Sequence, residues 1–442
     1  MFSTIHHTPH SQKKRTMANV YSKSYISSSP QIAANSHTLF FTRYLPLIQK
    51  LSEASEPTDV HDLDKAFAMD FMTAFQFGLC ASTNFTQDLA ARRNILHHYH
   101  CRRDYEFYSA EMPWLKQLTR SLGLQLVPYF VDEANNILED WNASMCRAAE
   151  NYLSEPSHVS TSNPGDDPIV YRQFKTGITK LREKDPMSGK ALSGDHLILP
   201  TTRHGDLQAA ANDNTTTEEI YSEMLDQLGA GFETSSLCLT YLFWEMSRNP
   251  DLQKRLREEV LTLSPAIQWP LPPKTDIESI KLPEPKQIDA LPLLNALFME
   301  TLRLHTPIPG IEPRISPHVP GGSTLGEYSG IPGGVRVSSM PYALHRNTAV
   351  FPDPETFLPS RWLPSHTSEA QLREMNRWFW AFGSGGRMCI GSHLATQEIK
   401  LLVAAVYTNW TTEIVDDEGI EEIDAYTTRP KGDRLILQFR HV

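Results

Sequence analysis

The sequence predicts a mainly α-helical chain with a minor β component in its C-terminal half. Three observations carry that expectation. Apolar residues recur at three- and four-residue spacing over several long stretches. Prolines and glycines gather between residues 307 and 340 around short β-type runs. A chain that is 40% hydrophobic and 21% charged has enough apolar matter for a core, which excludes disordered and collagen-like classes.

The elements follow in order. Residues 1–35 are polar and serine-rich and read as a polar N-terminal segment without the apolar core of a signal peptide. Residues 39–51 read as a helix, with Leu39, Phe40, Tyr44, Leu45, Leu47 and Ile48 on helical spacing. A second helix starts near Asp59 and ends at Gly78, placed as a C-terminal cap. Residues 131–152 form a long amphipathic helix, and residues 154–168 a breaker-rich loop. Residues 217–248 carry an unbroken helical pattern that stops at Asn249-Pro250, because the residue before proline leaves the helical region. A charged helix follows over 251–260, then a proline-rich surface loop over 263–289, then a helix over 290–305. Short strands and a turn at 331–334 come next, then a mostly irregular stretch over 341–388. A helix over 392–410 and strands toward the C-terminus complete the chain.

Lys and Arg total 41 against 52 for Asp and Glu, a formal net charge of −11, so no basic face points to a nucleic-acid partner. Five cysteines in 442 residues exclude a disulfide scaffold and suit a reducing compartment. No stretch reaches the roughly 18 apolar residues of a membrane-spanning helix.

The most specific stretch is Phe382-Gly-Ser-Gly-Gly-Arg-Met-Cys389-Ile-Gly391. Its glycines allow a tight loop whose backbone can approach something flat or bulky. Cys389 stands just before a helix, whose N-terminal dipole and free N–H groups favour a thiolate. Arg387 adds a cation able to pair with a carboxylate. Upstream, Glu300 and Arg303 sit at i and i+3 on one helix face. The long helix contains Ala230-Gly231-Phe232-Glu233-Thr234-Ser235. A mid-helix glycine costs about 0.8–1 kcal/mol against alanine, so something such as a local widening for a ligand is expected to require it. The adjacent carboxylate and hydroxyl suit proton delivery, with Thr234 holding dioxygen or water and Glu233 relaying protons. The other cysteines have no ligand spacing, and neither His6, His7 and His10 nor His97, His98 and His100 has a further element to complete a metal site.

The pattern F-x-x-G-x-R-x-C-x-G, the E-x-x-R pair before it and A-G-x-[DE]-T-[TS] before both resemble the cytochrome P450 family, in the family's order. The resemblance implies a P450 fold over residues 36–442 as one haem-binding monooxygenase domain. Cys389 would be the axial thiolate of haem b, pushing electron density onto the iron and favouring O–O cleavage. Arg387 and Arg314 would reach haem propionates, and Phe382 would pack beside the cysteine. Arg361, in FPDPETFLPSRWL, would be the third member of the structural Glu300–Arg303 set, although Ser360 stands where the family often has an acid. His345 would be structural. His10 and Lys14 resemble the family's W-x-x-x-R positions that contact a propionate, with histidine and lysine as replacements.

The front of the resemblance is expected to be missing: an anchor, a first helix and the first strands of the main sheet, which leaves residues 335–340 short of neighbours. The implied activity is insertion of one oxygen atom from O2 into an apolar small molecule, in the setting of fungal secondary metabolism. Electrons would come from NADPH through a flavoprotein, the NADPH-cytochrome P450 reductase. The implied place is the endoplasmic reticulum surface, with a membrane surface as partner. A truncated, non-catalytic remnant with impaired haem or substrate binding is the second reading.

Overall fold

The computed structural model describes residues 7–105, 107–108, 112–155, 163–184 and 213–442. Two helices form its axis. Asp213–Ser247, the central helix, has 35 residues and so runs for roughly 50 Å. Val60–Phe77 packs along it with nearly its whole length buried. The boundaries of Val60–Phe77 are chemical. The Asp59 carboxylate accepts from the N–H groups of His61 and Asp62, and Gly78 leaves the helix at φ 81°. A side chain at Gly78 would also strike the Asp166 carbonyl, so glycine is required there twice over.

Behind the central helix lie Pro250–Val260, Pro292–Leu304 and Ser392–Asn409, which share one apolar core. Pro292 opens its helix at a position where a missing N–H is harmless. The Glu259 carboxylate takes the next two N–H groups, from Leu293 at 2.7 Å and Leu294 at 2.8 Å. The helix that carries Glu300 and Arg303 is thus capped by its neighbour.

Seven short strands form three antiparallel sheets among the described residues. β1 (Thr58–Asp59), β7 (Ile436–His441) and β6 (Trp410–Asp416) pair in the order β1-β7-β6. β2 (Glu312–Ile315) pairs with β5 (Arg336–Ser339) from Glu312↔Ser339 to Ile315↔Arg336. β3 (Ser323–Leu325) pairs with β4 (Tyr328–Ile331). Among the described residues β5 has β2 as its one partner strand.

Several expectations are corrected. Residues 7–35 are not a separate polar segment: helices His7–Met17, Lys23–Ser28 and Pro30–Thr38 place Met17, Val20, Tyr21, Ile26 and Ile32 in the common core. The serines that make this stretch polar include helix caps, Ser22 accepting from Tyr25 N–H and Ser29 from Ile32 N–H. Residues 39–51 are two pieces, a π-helical turn Leu39–Tyr44 and the α-helix Leu45–Glu53. Pro46 has no N–H to give Thr42, and the Gln87 side chain supplies the bond instead at 2.9 Å. The stretch 341–388 contains a ten-residue helix, Glu369–Trp378, started by a Ser368/Gln371 capping box. Of the loop expected over 154–168, residues 156–162 lie outside the described residues.

Candidate functional site

The site is built from a rigid cluster outward. Glu300 and Arg303 are fully buried on one face of Pro292–Leu304. Arg303 holds the carboxylate at both oxygens, Nε to Oε2 at 2.9 Å and Nη2 to Oε1 at 2.8 Å. Arg361 Nε donates to Oε1 at 3.0 Å, the Trp362 indole to Oε2 at 2.8 Å, and the Leu358 N–H to Oε1 at 2.9 Å. The remaining guanidinium protons are spent on backbone: Arg303 on the carbonyls of His345, Pro354 and Thr356, Arg361 on that of Pro352. The cluster therefore staples an irregular chain segment to a helix.

His345 carries this rigidity to the cysteine loop. Its Nδ1 contacts the Arg303 carbonyl at 3.0 Å, its Nε2 accepts the Trp380 N–H at 2.8 Å, and its ring stacks on Phe379. Burial, aided by the nearby Arg303 and Arg346 cations, pushes it down to about 3 against the one favourable bond, so the ring is neutral. Both nitrogens are occupied, and its place is structural. Among the described residues no group of three or more potential ligands forms a metal cluster.

The loop then turns on itself. The Cys389 N–H donates to the Phe382 carbonyl at 2.8 Å, and Gly383 and Gly385 both take φ 67°. Gly383 faces the Glu312 carboxylate of β2, which a side chain would crowd. Phe382 lies half-buried, its ring centroid 6.4 Å from that of Phe298. Lys14, from His7–Met17, clasps the loop through the carbonyls of Gly386 at 3.1 Å and Met388 at 2.6 Å. Arg314, on β2, reaches the Ser384 carbonyl at 3.0 Å. His10 is buried one turn before Lys14.

Cys389 is accessible to solvent yet hemmed in by protein, the situation of a group on the floor of a recess. Burial raises its thiol; the N–H groups of Gly391 and Ser392 and the Lys14 charge oppose the rise without overcoming it. The helix start does favour thiolate, as the sequence suggested, but burial is the larger influence. Lys14 is lowered by burial, with Cys389 opposing, and Arg387 is lowered by burial and then by Arg314.

On the central helix, Glu233 and Thr234 are not bonded to each other. The Thr234 hydroxyl donates to the Ala230 carbonyl at 2.8 Å, and a Glu233 oxygen lies 3.7 Å from Arg103 Nε. Ser235 donates to the buried Glu398 carboxyl at 3.4 Å. Gly231 does not answer to a helix widening, since the helix continues as α through it. A side chain there would come within 2.5 Å of the Met72 sulfur, so the glycine allows close packing of the two axial helices. Sequence reasoning missed Trp362, the Leu358 N–H and Arg103, and no local spacing marks any of them.

A cysteine loop clamped by a buried Glu–Arg–Arg set, opening a helix that Glu398 and Ser235 join to a long helix bearing an acid–alcohol pair, defines a haem-thiolate protein. Residues 193–437 match the Cytochrome P450 family, and the chain belongs to it. It is 26% identical over 404 residues to the cytochrome P450 monooxygenase avaI of Aspergillus versicolor, covering 89% of this chain and 80% of that one. It is 25% identical over 430 residues to the fusicoccadiene C-8 hydroxylase of Alternaria brassicicola, covering 95% and 70%. It is 37% identical over 228 residues to the cytochrome P450 monooxygenase tazI of Aspergillus terreus, where the match spans half of this chain and 42% of the relative. Nothing in the fold or the relatives favours a non-catalytic remnant.

The residues fit the family's haem. Cys389 is a soft donor accessible in a recess, and a bound cation deprotonates a coordinating thiol outright. Arg387 is lowered by burial and then by the neighbouring Arg314 cation, so the two guanidinium groups share one side of the loop and suit an anion such as a propionate. Among the described residues no helix is long and apolar enough to cross a membrane.

Proposed function

We propose that this chain is a haem-thiolate monooxygenase that inserts one atom of O2 into an apolar small molecule of fungal secondary metabolism. The observation that carries the reading is Cys389, accessible at a helix start in a loop clamped from behind. Cys389 would hold the iron; Arg387, Arg314, His10 and Lys14 would face the propionates, with two of the three Lys14 protons already given to the loop. Bound haem supplies the activation of dioxygen. The chain's own residues do the rest. The Glu300–Arg303–Arg361 set fixes the loop, Phe382 packs against it, and Glu233 and Thr234 move protons on the other face. The name of the fusicoccadiene hydroxylase, which points to a hydrocarbon, supports an apolar substrate.

Electrons would come from NADPH by way of the NADPH-cytochrome P450 reductase. A membrane surface, that of the endoplasmic reticulum, fits an exposed apolar face. Trp114, Leu118 and Leu122 are 60%, 47% and 65% exposed at four-residue spacing along and just past Pro113–Ser121.

The test is a reduced-carbon-monoxide difference spectrum of purified protein. The expected result is the long-wavelength Soret band of a thiolate ligand, its loss in Cys389→Ser, and product formation that needs both NADPH and reductase. Absence of the band from folded, haem-supplied protein would overturn the reading.

A further inference from the structure

Arg103 stands where the chain turns just after the helix Leu89–Arg102, and it faces two carboxylates. Its Nε is 3.7 Å from Glu233 Oε1 and its Nη1 is 3.3 Å from Asp433 Oδ1. Asp433 belongs to the turn before β7 and holds φ 49°, a left-handed conformation that aspartate tolerates better than most residues. It is the hub of a cationic nest. His61 Nε2 and Lys65 Nζ lie 3.2 Å from Oδ1, and His100 Nδ1 is 3.6 Å from Oδ2. Lys65 and His61 are buried, and Arg103 is 12% exposed.

Burial and the two cations beside them bring His61 and His100 down to about 3, so both are neutral at pH 7. Lys65 has Asp62 beside it as well as Asp433, and Arg103 shares Asp433 with it. Arg103 itself spans two carboxylates, Asp433 on one edge of its guanidinium and Glu233 on the other. The planar fork of arginine lets Nη1 serve Asp433 while Nε serves Glu233. At 3.7 Å the Glu233 contact is an ion pair and not a hydrogen bond, so the carboxylate is steered without being locked. Thr234, meanwhile, spends its proton on its own helix.

We propose that Arg103 is a positioning residue for Glu233, turning its carboxylate away from Thr234, and that Asp433 sets the position of Arg103. The C-terminal turn thereby reaches the proton-delivering acid through one guanidinium. Delivery requires Glu233 to leave Arg103, take up a proton from bulk solvent (hydronium, through water) and pass it to the Thr234 oxygen as the hydroxyl hands its own proton on, which regenerates both the hydroxyl and the carboxylate. The inference rests on the reading of Glu233 as a proton relay.

The experiment uses haem-loaded protein with reductase and NADPH, scoring product formed per NADPH consumed and the solvent isotope effect on turnover. Glu233→Gln should lower turnover by about 100-fold. Arg103→Met and Asp433→Asn should each change kcat by roughly 5-fold or more with KM within about 2-fold, and shift the solvent isotope effect away from the wild-type value, as expected when an interaction acts on the chemical step. Arg103→Lys should restore part of the effect, and Arg103→Met in the Glu233→Gln background should add nothing further. A double-mutant cycle of Arg103→Met and Asp433→Asn on urea unfolding should show coupling between the two, independently of turnover. If Glu233→Gln is impaired while Arg103→Met and Asp433→Asn match wild type in coupling and isotope effect, the positioning role is overturned and the relay stands. If Glu233→Gln is itself unimpaired, both fall.

Discussion

Replacing Glu300 by alanine should cost this protein about 3–5 kcal/mol, the range for breaking a buried ion pair by removing one partner. Its carboxylate takes five hydrogen bonds on two oxygens, from Arg303 twice, Arg361, Trp362 and the Leu358 N–H. At about 1.5–3 kcal/mol for each bond to a charged group, a sum would exceed that range. The bonds act as a unit, however, so the smaller figure governs. Glu300→Gln keeps the shape but turns an amide N–H₂ toward donors on one side, and should fall near the lower end. An apolar replacement of all three charged residues should not rescue stability here. The arginines also satisfy the carbonyls of His345, Pro354, Thr356 and Pro352, which would be left bare at about 1–3 kcal/mol apiece. The assay is equilibrium urea unfolding of haem-loaded protein, read as a shift in midpoint at the wild-type slope. A loss for Glu300→Ala below about 1 kcal/mol, the range of exposed pairs, would refute the argument.

Three further outcomes are expected. Gly231→Ala should leave urea stability within about 1 kcal/mol of wild type, because helix propensity gained offsets a displaced Met72 side chain, while Gly231→Leu should lose about 1–3 kcal/mol by overpacking. His345 has a folded pKa of about 3, below its unfolded value near 6.5, so its contribution is full above that unfolded value and is lost as pH falls toward 3. Between pH 6 and 4 the stability of His345→Asn should therefore fall less steeply than wild type, by about 1.4 kcal/mol per pH unit in urea titrations at each pH. Lys14→Met should cost about 1–3 kcal/mol in the same assay, through its two charge-assisted bonds to the loop carbonyls.

The difference between what was legible in the sequence and what was not follows the range of the interactions. Glu300 and Arg303 are three residues apart on a helix, and the cap pair Asp59 and Gly78 punctuates a helix locally, so spacing alone placed them. The Ser368/Gln371 capping box is just as local, and its signal lay unread in a stretch that looked irregular. Serine is ambiguous by chemistry, since the hydroxyl that caps a helix at Ser22 and Ser29 also favours turns. Gly231 was legible as an anomaly, but its cause is Met72, more than 150 residues earlier. Arg103, Glu233 and Asp433 meet across three distant segments, and only the fold brings them together.

The cations around Cys389 divide their work in a way that bears on the site's chemistry. Lys14 and Arg314 fasten the loop through backbone carbonyls, which bear no net charge. Carbonyl partners hold a side chain in place without neutralising it. The Glu312 carboxylate lies 3.6 Å from Arg314, and that group is itself raised by burial ahead of the opposing arginine. The loop is thus positioned by groups that retain their positive charge, and Arg387 adds another beside Arg314. Such an arrangement is electrostatically favourable to an anionic group placed among the cations. If Arg387, Arg314 and Lys14 face the propionates as proposed, the same side chains that build the loop would also hold the anionic edge of the haem, and the burial that raises the thiol would be offset by the iron.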